Sequence, residues 1–125
     1  MVANEINWII HYIIDTIGPD GIINAHTHGM EQYKHYDFQV VLNFPKEHIA
    51  YLLNSMGKRV QNGEKFSPGD LVTGIYEDCP IRLDLYRETG RDVLRIIIPD
   101  RHNQFPESPT CEPKYKVQLH RAFEE

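Results

Sequence analysis

Between Asp37 and Asn62 the chain reads DFQVVLNFPKEHIAYLLNSMGKRVQN, and these residues leave few ways to fold. Phe38 to Phe44 is short, β-branched and aromatic, with polar side chains only at Gln39 and Asn43, so it predicts a strand covered on both faces. Pro45 follows, and proline suits a helix start because its missing N–H has no intrahelical partner there. Ile49, Leu52, Leu53, Met56 and Val60 then fall on one helical stripe, while Lys46, Asn54, Lys58 and Arg59 fall away from it. Glu47 in the first turn and Lys58 and Arg59 in the last complement the helix dipole. Asn62-Gly63 supplies residues able to close the helix in the left-handed conformation.

The remainder is read around that unit. Residues 4–17 place Ile6, Ile9, Ile10, Ile13, Ile14 and Ile17 on one stripe, which predicts an N-terminal helix capped by Asn4 and broken at Gly18-Pro19-Asp20-Gly21. Gly21 to His28 predicts a strand antiparallel to the central one. After the main helix, Ser67-Pro68-Gly69-Asp70 predicts a type II turn, Leu71 to Tyr76 a strand, and Glu77 to Pro80 another turn. Ile81, Leu83 and Leu85 alternate with Arg82, Asp84 and Tyr86, and a hairpin at Glu88–Arg91 leads to the buried strand Val93–Ile98. Residues 99–113 hold four of the eight prolines and predict an irregular wrap; the tail 114–125 carries a short strand at Tyr115–Leu119 or a frayed helical turn. The sum is a single α+β domain over residues 1–125. Residues 1–20 form helix and turn, 21–98 the sheet plus main helix, and 99–125 the wrap and tail. The expected sheet has about five strands, largely antiparallel, with two helices packed on one face.

Composition narrows the function classes. With 125 residues the chain buries enough surface to fold without disulfide or metal. A net charge of −5 with scattered Lys and Arg argues against nucleic acid as a partner. The N-terminus has no basic leader, and His11 and Asp15 interrupt its apolar residues, so neither a signal peptide nor a membrane span is expected. Cys79 and Cys111 form no metal-binding pair and suit free thiols in a reducing compartment, which points to a cytoplasmic protein.

No catalytic set is legible. Ser55, Ser67 and Ser108 lack a nucleophile setting, Cys79 sits beside Asp78, and no phosphate loop occurs. The sharpest local signal is Asn24-Ala25-His26-Thr27-His28-Gly29. On a strand His26 and His28 project from the same face, where two imidazoles can share a metal ion, zinc first among metals for such ligands. The third ligand would come from His35, Asp37, Asp100 or His102, His35 being the first choice. The segment is similar to the first-strand HxH of amidohydrolase barrels, but such a barrel needs about 250 residues. A second polar cluster, Asp100, Arg101 and His102, follows the most hydrophobic strand. If the two strands end on the same side, His26, His28, Tyr33, His35, Asp100, Arg101 and His102 line one ligand pocket.

An ordered set of motifs carries a wider resemblance. Thr27-His28-Gly29-Met30-Glu31, Phe44-Pro45, Leu52-Leu53-Asn54 with Val60, Gly63-Glu64-Lys65-Phe66, Pro68-Gly69-Asp70, Pro80-Ile81-Arg82, and Pro99-Asp100-Arg101 with Gln104-Phe105-Pro106 together resemble a bacterial family of domains of unknown function, DUF4262. The likeness runs from about Ala25 to Pro113. It implies a stand-alone cytoplasmic bacterial domain and supplies no catalytic residue. Where the family has Thr-(Ile/Val)-Gly-Leu this chain has Thr27-His28-Gly29-Met30, so the resemblance implies that His28 is particular to this member or to a small subgroup. The leading expectation is a non-catalytic module, with no cofactor, that binds a protein or small molecule. The alternatives are a small metal-dependent hydrolase using His26, His28 and His35, and a homo-oligomer pairing through a strand edge.

Overall fold

Two three-stranded meanders lie side by side in one sheet, joined by a single parallel seam. The computed structural model describes residues 6–15, 22–88 and 90–119. In chain order the strands are β1 (Ile9–Asp15), β2 (Ile22–His28) and β3 (Asp37–Leu42), followed by helix α1 (Lys46–Gln61). The chain then forms β4 (Leu71–Val72), β5 (Ile81–Glu88), β6 (Arg91–Ile97) and the short helix α2 (Pro113–Lys116). The sheet order is β1-β2-β3-β6-β5-β4. Every pairing is antiparallel except β3 with β6, which run parallel with Phe38 opposite Leu94 and Gln39 opposite Arg95. A parallel pair needs a long crossover, and α1 with the β4–β5 arm provides it. The fold is α+β with a mostly antiparallel sheet of six strands, one more than expected.

The central unit forms as its residues predict. All six residues of β3 are buried. Phe38, Val40 and Leu42 pack with Ile49, Leu52, Leu53, Met56 and Val60 of α1 and with Leu94, Ile96 and Ile98. Each such buried aliphatic contributes about 2 kcal/mol by removal from water. The Pro45 carbonyl accepts from the N–H groups of His48 and Ile49, and α1 ends with Gly63 at φ 103°, its N–H donating to Val60 O. Only glycine takes that conformation at little cost.

The helix expected over residues 4–17 is instead the edge strand β1, paired residue for residue with β2 from Ile9 opposite His28 to Asp15 opposite Ile22. Its doublets Ile9-Ile10 and Ile13-Ile14 satisfy helical spacing, but they equally place one isoleucine on each face of a strand, and β-branched side chains prefer the pleated surface. Ile10 and Tyr12 pack against the core, whereas Ile9, His11 and Ile13 are exposed, Ile9 at 59 %. The expected cap at Asn4, Ile17, the break at residues 18–21 and the tail from 120 onward lie outside the described residues.

A smaller correction concerns β4. The strand expected over residues 71–76 stops at Val72, because Gly74 takes φ 92° and the chain leaves the sheet to lie on α1. There Arg59 Nη1 donates to Thr73 O and the Tyr51 hydroxyl to Ile75 O. Of the two forms left open for the tail, residues 113–119 take the helical one: α2 runs into a 3₁₀ turn at Val117–Leu119. Of the two helices expected on one face, α1 alone is a long helix packed on the core.

The opposite face of the sheet buries the apolar side chains Ile22, Val41, Val93 and Ile97 beside a polar network. Arg95, fully buried, donates from Nε to Gln39 Oε1 at 2.8 Å and from Nη1 to Gln118 O at 2.8 Å, and its guanidinium lies 3.6 Å from the Tyr86 ring centroid. Gln39 Nε2 in turn donates to Asn24 Oδ1 at 3.0 Å. Gln118 fixes the 3₁₀ turn through paired bonds to the backbone of Ile98.

Candidate functional site

Strand periodicity and register bring three imidazoles together on β1 and β2. His26 and His28 share a face because they are two residues apart. His11 joins them because it lies directly opposite His26 in the antiparallel ladder. The Nε2 atoms of His26 and His28 are 3.1 Å apart, and one ring nitrogen from each of the three residues falls within 4.8 Å of the others. The ring centroids are 4.4 to 5.4 Å apart. Burial, and after it the nearby Arg91 guanidinium, lowers the His26 imidazole to about 4; the same two causes lower His28. Arg91 is itself ion-paired with Asp37, whose carboxylate also accepts from Thr27 Oγ1 and the Met30 N–H.

His35 stands apart from this cluster. Its Nδ1 faces the Tyr36 carbonyl at 2.9 Å, its Nε2 accepts the Phe66 N–H at 2.9 Å, and its ring lies between Phe38 and Phe66. Tyr33 donates its hydroxyl to Asn7 Oδ1 and accepts from Gln61 Nε2. Both residues tie loops to the body.

The second polar cluster lies at the other end of the sheet. His28 is next to the start of β3 and β6, and Asp100 lies beyond the finish of β6, a strand of seven residues that spans on the order of 20 Å. The structure therefore separates His26, His28, Tyr33 and His35 from Asp100, Arg101 and His102. Asp100 is buried, and its carboxylate accepts the N–H groups of His102, Gln104 and Glu112 at 2.9 Å each. Burial acts to raise its pKa, but those three donors together hold it below the ordinary carboxylate value. Arg101 is exposed and pairs with Glu112, and His102 is exposed on the turn that Asp100 organises.

Asp100 and Arg101 do line a cavity, of about 320 Å³, with partners the sequence reading did not single out. It opens beyond the carboxyl ends of β3 and β6, where Phe44, Ile98 and Pro99 leave the sheet, and is completed by His48, Tyr76, Asp78, Cys79, Asn103 and Tyr115. The His48 and Tyr76 rings stack, with His48 Nε2 2.6 Å from the Tyr76 hydroxyl, and Phe44 meets both His48 and Tyr115 edge-on. Burial raises the Tyr76 and Tyr115 hydroxyls, and burial with Asp78 raises the Cys79 thiol. Two sequence signals pointed to this site: the polar pair Asp100-Arg101 at the end of the last strand, and the i, i+4 pair Phe44 and His48 flanking Pro45, which the apolar stripe of α1 obscured.

Among the described residues no helix is long and apolar enough to cross a membrane. Neither curated proteins nor solved structures provide a match to this sequence. A family model described as a domain of unknown function matches residues 2–112. On that match over most of its length, the chain belongs to the DUF4262 family.

Proposed function

We propose that this domain is a ligand-binding module whose site is the cavity beyond the carboxyl ends of β3 and β6, and that it takes a small amine with an apolar body. The observation that carries the reading is the position of an aromatic-walled cavity at the one parallel seam of the sheet, where crossover connections leave a crevice outside the strand ends. Phe44, Tyr76 and Tyr115 offer apolar walls and ring faces to a ligand. Lys114 Nζ stands 5.1 Å from the Phe44 ring centroid, which shows that this ring attracts an ammonium group. Asp78, exposed at the rim and in no ion pair among the described residues, supplies a countercharge.

The same groups favour binding over catalysis. The Asp100 carboxylate is occupied by three backbone donors, the Cys79 thiol is pushed toward its unreactive protonated form, and His48 is engaged by Tyr76. The test is an amide-resolved NMR titration with phenethylamine and, separately, phenylacetate, which has a similar body and the opposite charge. Saturable shifts at Phe44, Tyr76, Asp78 and Tyr115 with the amine, weakened in Asp78→Asn, are expected. Absence of saturable shifts there, or equal response to the carboxylate, would overturn the reading.

A further inference from the structure

We infer that His11, His26 and His28 form a binding site for one divalent transition-metal ion, with zinc the best fit. The inference is independent of the ligand cavity, which lies at the opposite end of the sheet.

The argument rests on how the three rings converge. Two neutral imidazoles can share one N–H···N bond, which accounts for the 3.1 Å between His26 and His28 Nε2. A third imidazole with a ring nitrogen within 4.8 Å of both finds no second complementary partner in that pair. Among the described residues none of the three rings bonds to a carboxylate, which is the usual structural reason for a histidine to be held in place. A dication satisfies all three lone pairs at once. Zinc–nitrogen bonds of about 2.0–2.1 Å in a tetrahedron set the nitrogens about 3.3–3.4 Å apart. The His26–His28 separation is already near that value, and His11, exposed on an edge strand, is free to rotate the remaining distance.

The surroundings accommodate the charge. The Arg91 guanidinium would oppose a cation, but it is paired with Asp37 and also donates to the Thr27 carbonyl at 3.1 Å. Three neutral nitrogen donors and no carboxylate select zinc, copper, nickel or cobalt over magnesium and calcium, which demand oxygen. Three protein ligands leave a fourth position for water or an exogenous ligand, the arrangement of zinc sites that are not purely structural. Partial burial of His26 and His28, together with the exposed isoleucines Ile9 and Ile13 beside them, gives that position an apolar rim.

The test uses the untagged full chain stripped with chelator and titrated with Co²⁺, whose visible absorption reports tetrahedral nitrogen ligation, followed by displacement with Zn²⁺. One equivalent of Co²⁺ per chain, displaced by one equivalent of Zn²⁺ and not by Mg²⁺, is expected. Losing a direct ligand should cost more than losing its supporting partner, so His11→Asn, His26→Asn and His28→Asn should each weaken binding by about 100-fold or more. His102→Asn, on an exposed turn, should leave affinity unchanged. His11 is solvent-exposed, so His11→Asn is read in a folded protein, checked by circular dichroism. No saturable binding, half an equivalent per chain, or an unchanged affinity in His11→Asn would overturn the site.

Discussion

The indole of Trp8 closes over Gly57 of α1, so tightly that a methyl group at that glycine would fall 2.6 Å from Trp8 Cζ2 and 2.7 Å from Cε2. One turn earlier on the helix, Asn54 Oδ1 accepts the indole N–H at 2.9 Å. The residue that precedes β1 is thereby fastened to the helix on the far side of the core.

Gly57→Ala should therefore destabilise the protein, although the same change in an open helix position stabilises by up to about 1 kcal/mol. Overpacking against a rigid ring typically costs about 1–3 kcal/mol. Urea denaturation followed by the fluorescence of Trp8, the single tryptophan, checks both the loss and the displaced indole.

The His26 imidazole should resist protonation in chelator-treated protein, titrating near 4 instead of 6.5, because of burial first and then Arg91, His28 and His11, against the opposing Asp37. Between those two values the unfolded chain binds more protons than the folded one. Stability is then unaffected by this group above about pH 6.5 and declines as pH falls toward 4. Histidine-resolved NMR gives the titration directly, and His26→Gln should flatten the pH dependence of the urea midpoint across that window.

Arg95→Met should cost about 2–5 kcal/mol, because Gln39 Oε1 and the Gln118 carbonyl lose their donor in a buried layer. Adding Gln39→Met removes one of those acceptors and should recover part of the loss, a non-additivity that a double-mutant cycle in urea would measure.

Asp100→Ala should loosen the segment 99–112 without unfolding the sheet, since three backbone N–H groups lose a shared acceptor. Hydrogen exchange at the amides of His102, Gln104 and Glu112 should accelerate while exchange in β3 and β6 stays slow. The same variant should weaken binding at the adjacent cavity, read by the phenethylamine titration.

What could be read from the sequence depended on whether a pattern admits one solution or two. The stripe from Ile49 to Val60 has no strand interpretation, and the proline and glycine at its ends agree with it, so β3 and α1 were legible. Ile9, Ile10, Ile13 and Ile14 fit a helix and a two-sided strand equally, and only pairing with β2 decides between them. That ambiguity also hid His11: read on a helix it faces nothing, but opposite His26 it completes a cluster whose other members were plain from their spacing. His35 drew attention as an imidazole near the pair, yet the turn at Met30–Tyr33 carries it to Phe66. The parallel pairing of β3 with β6 could not be inferred from neighbouring segments, because its partners are separated by the whole crossover. Of the cavity at their ends, only Asp100 and Arg101 were marked beforehand.

That seam also bears on the order in which the molecule assembles. Each meander closes through connections local in sequence, whereas Phe38 meets Leu94 only after a long loop has been drawn shut, an entropic cost met late. The docking of two preformed halves is then the expected slow step of folding. Because Phe44 belongs to one half and Ile98 to Asn103 to the other, the cavity exists only once they have met. Anything that occupies it binds the joined state and not the separated halves, and so acts as a clasp whose concentration sets how rarely they part.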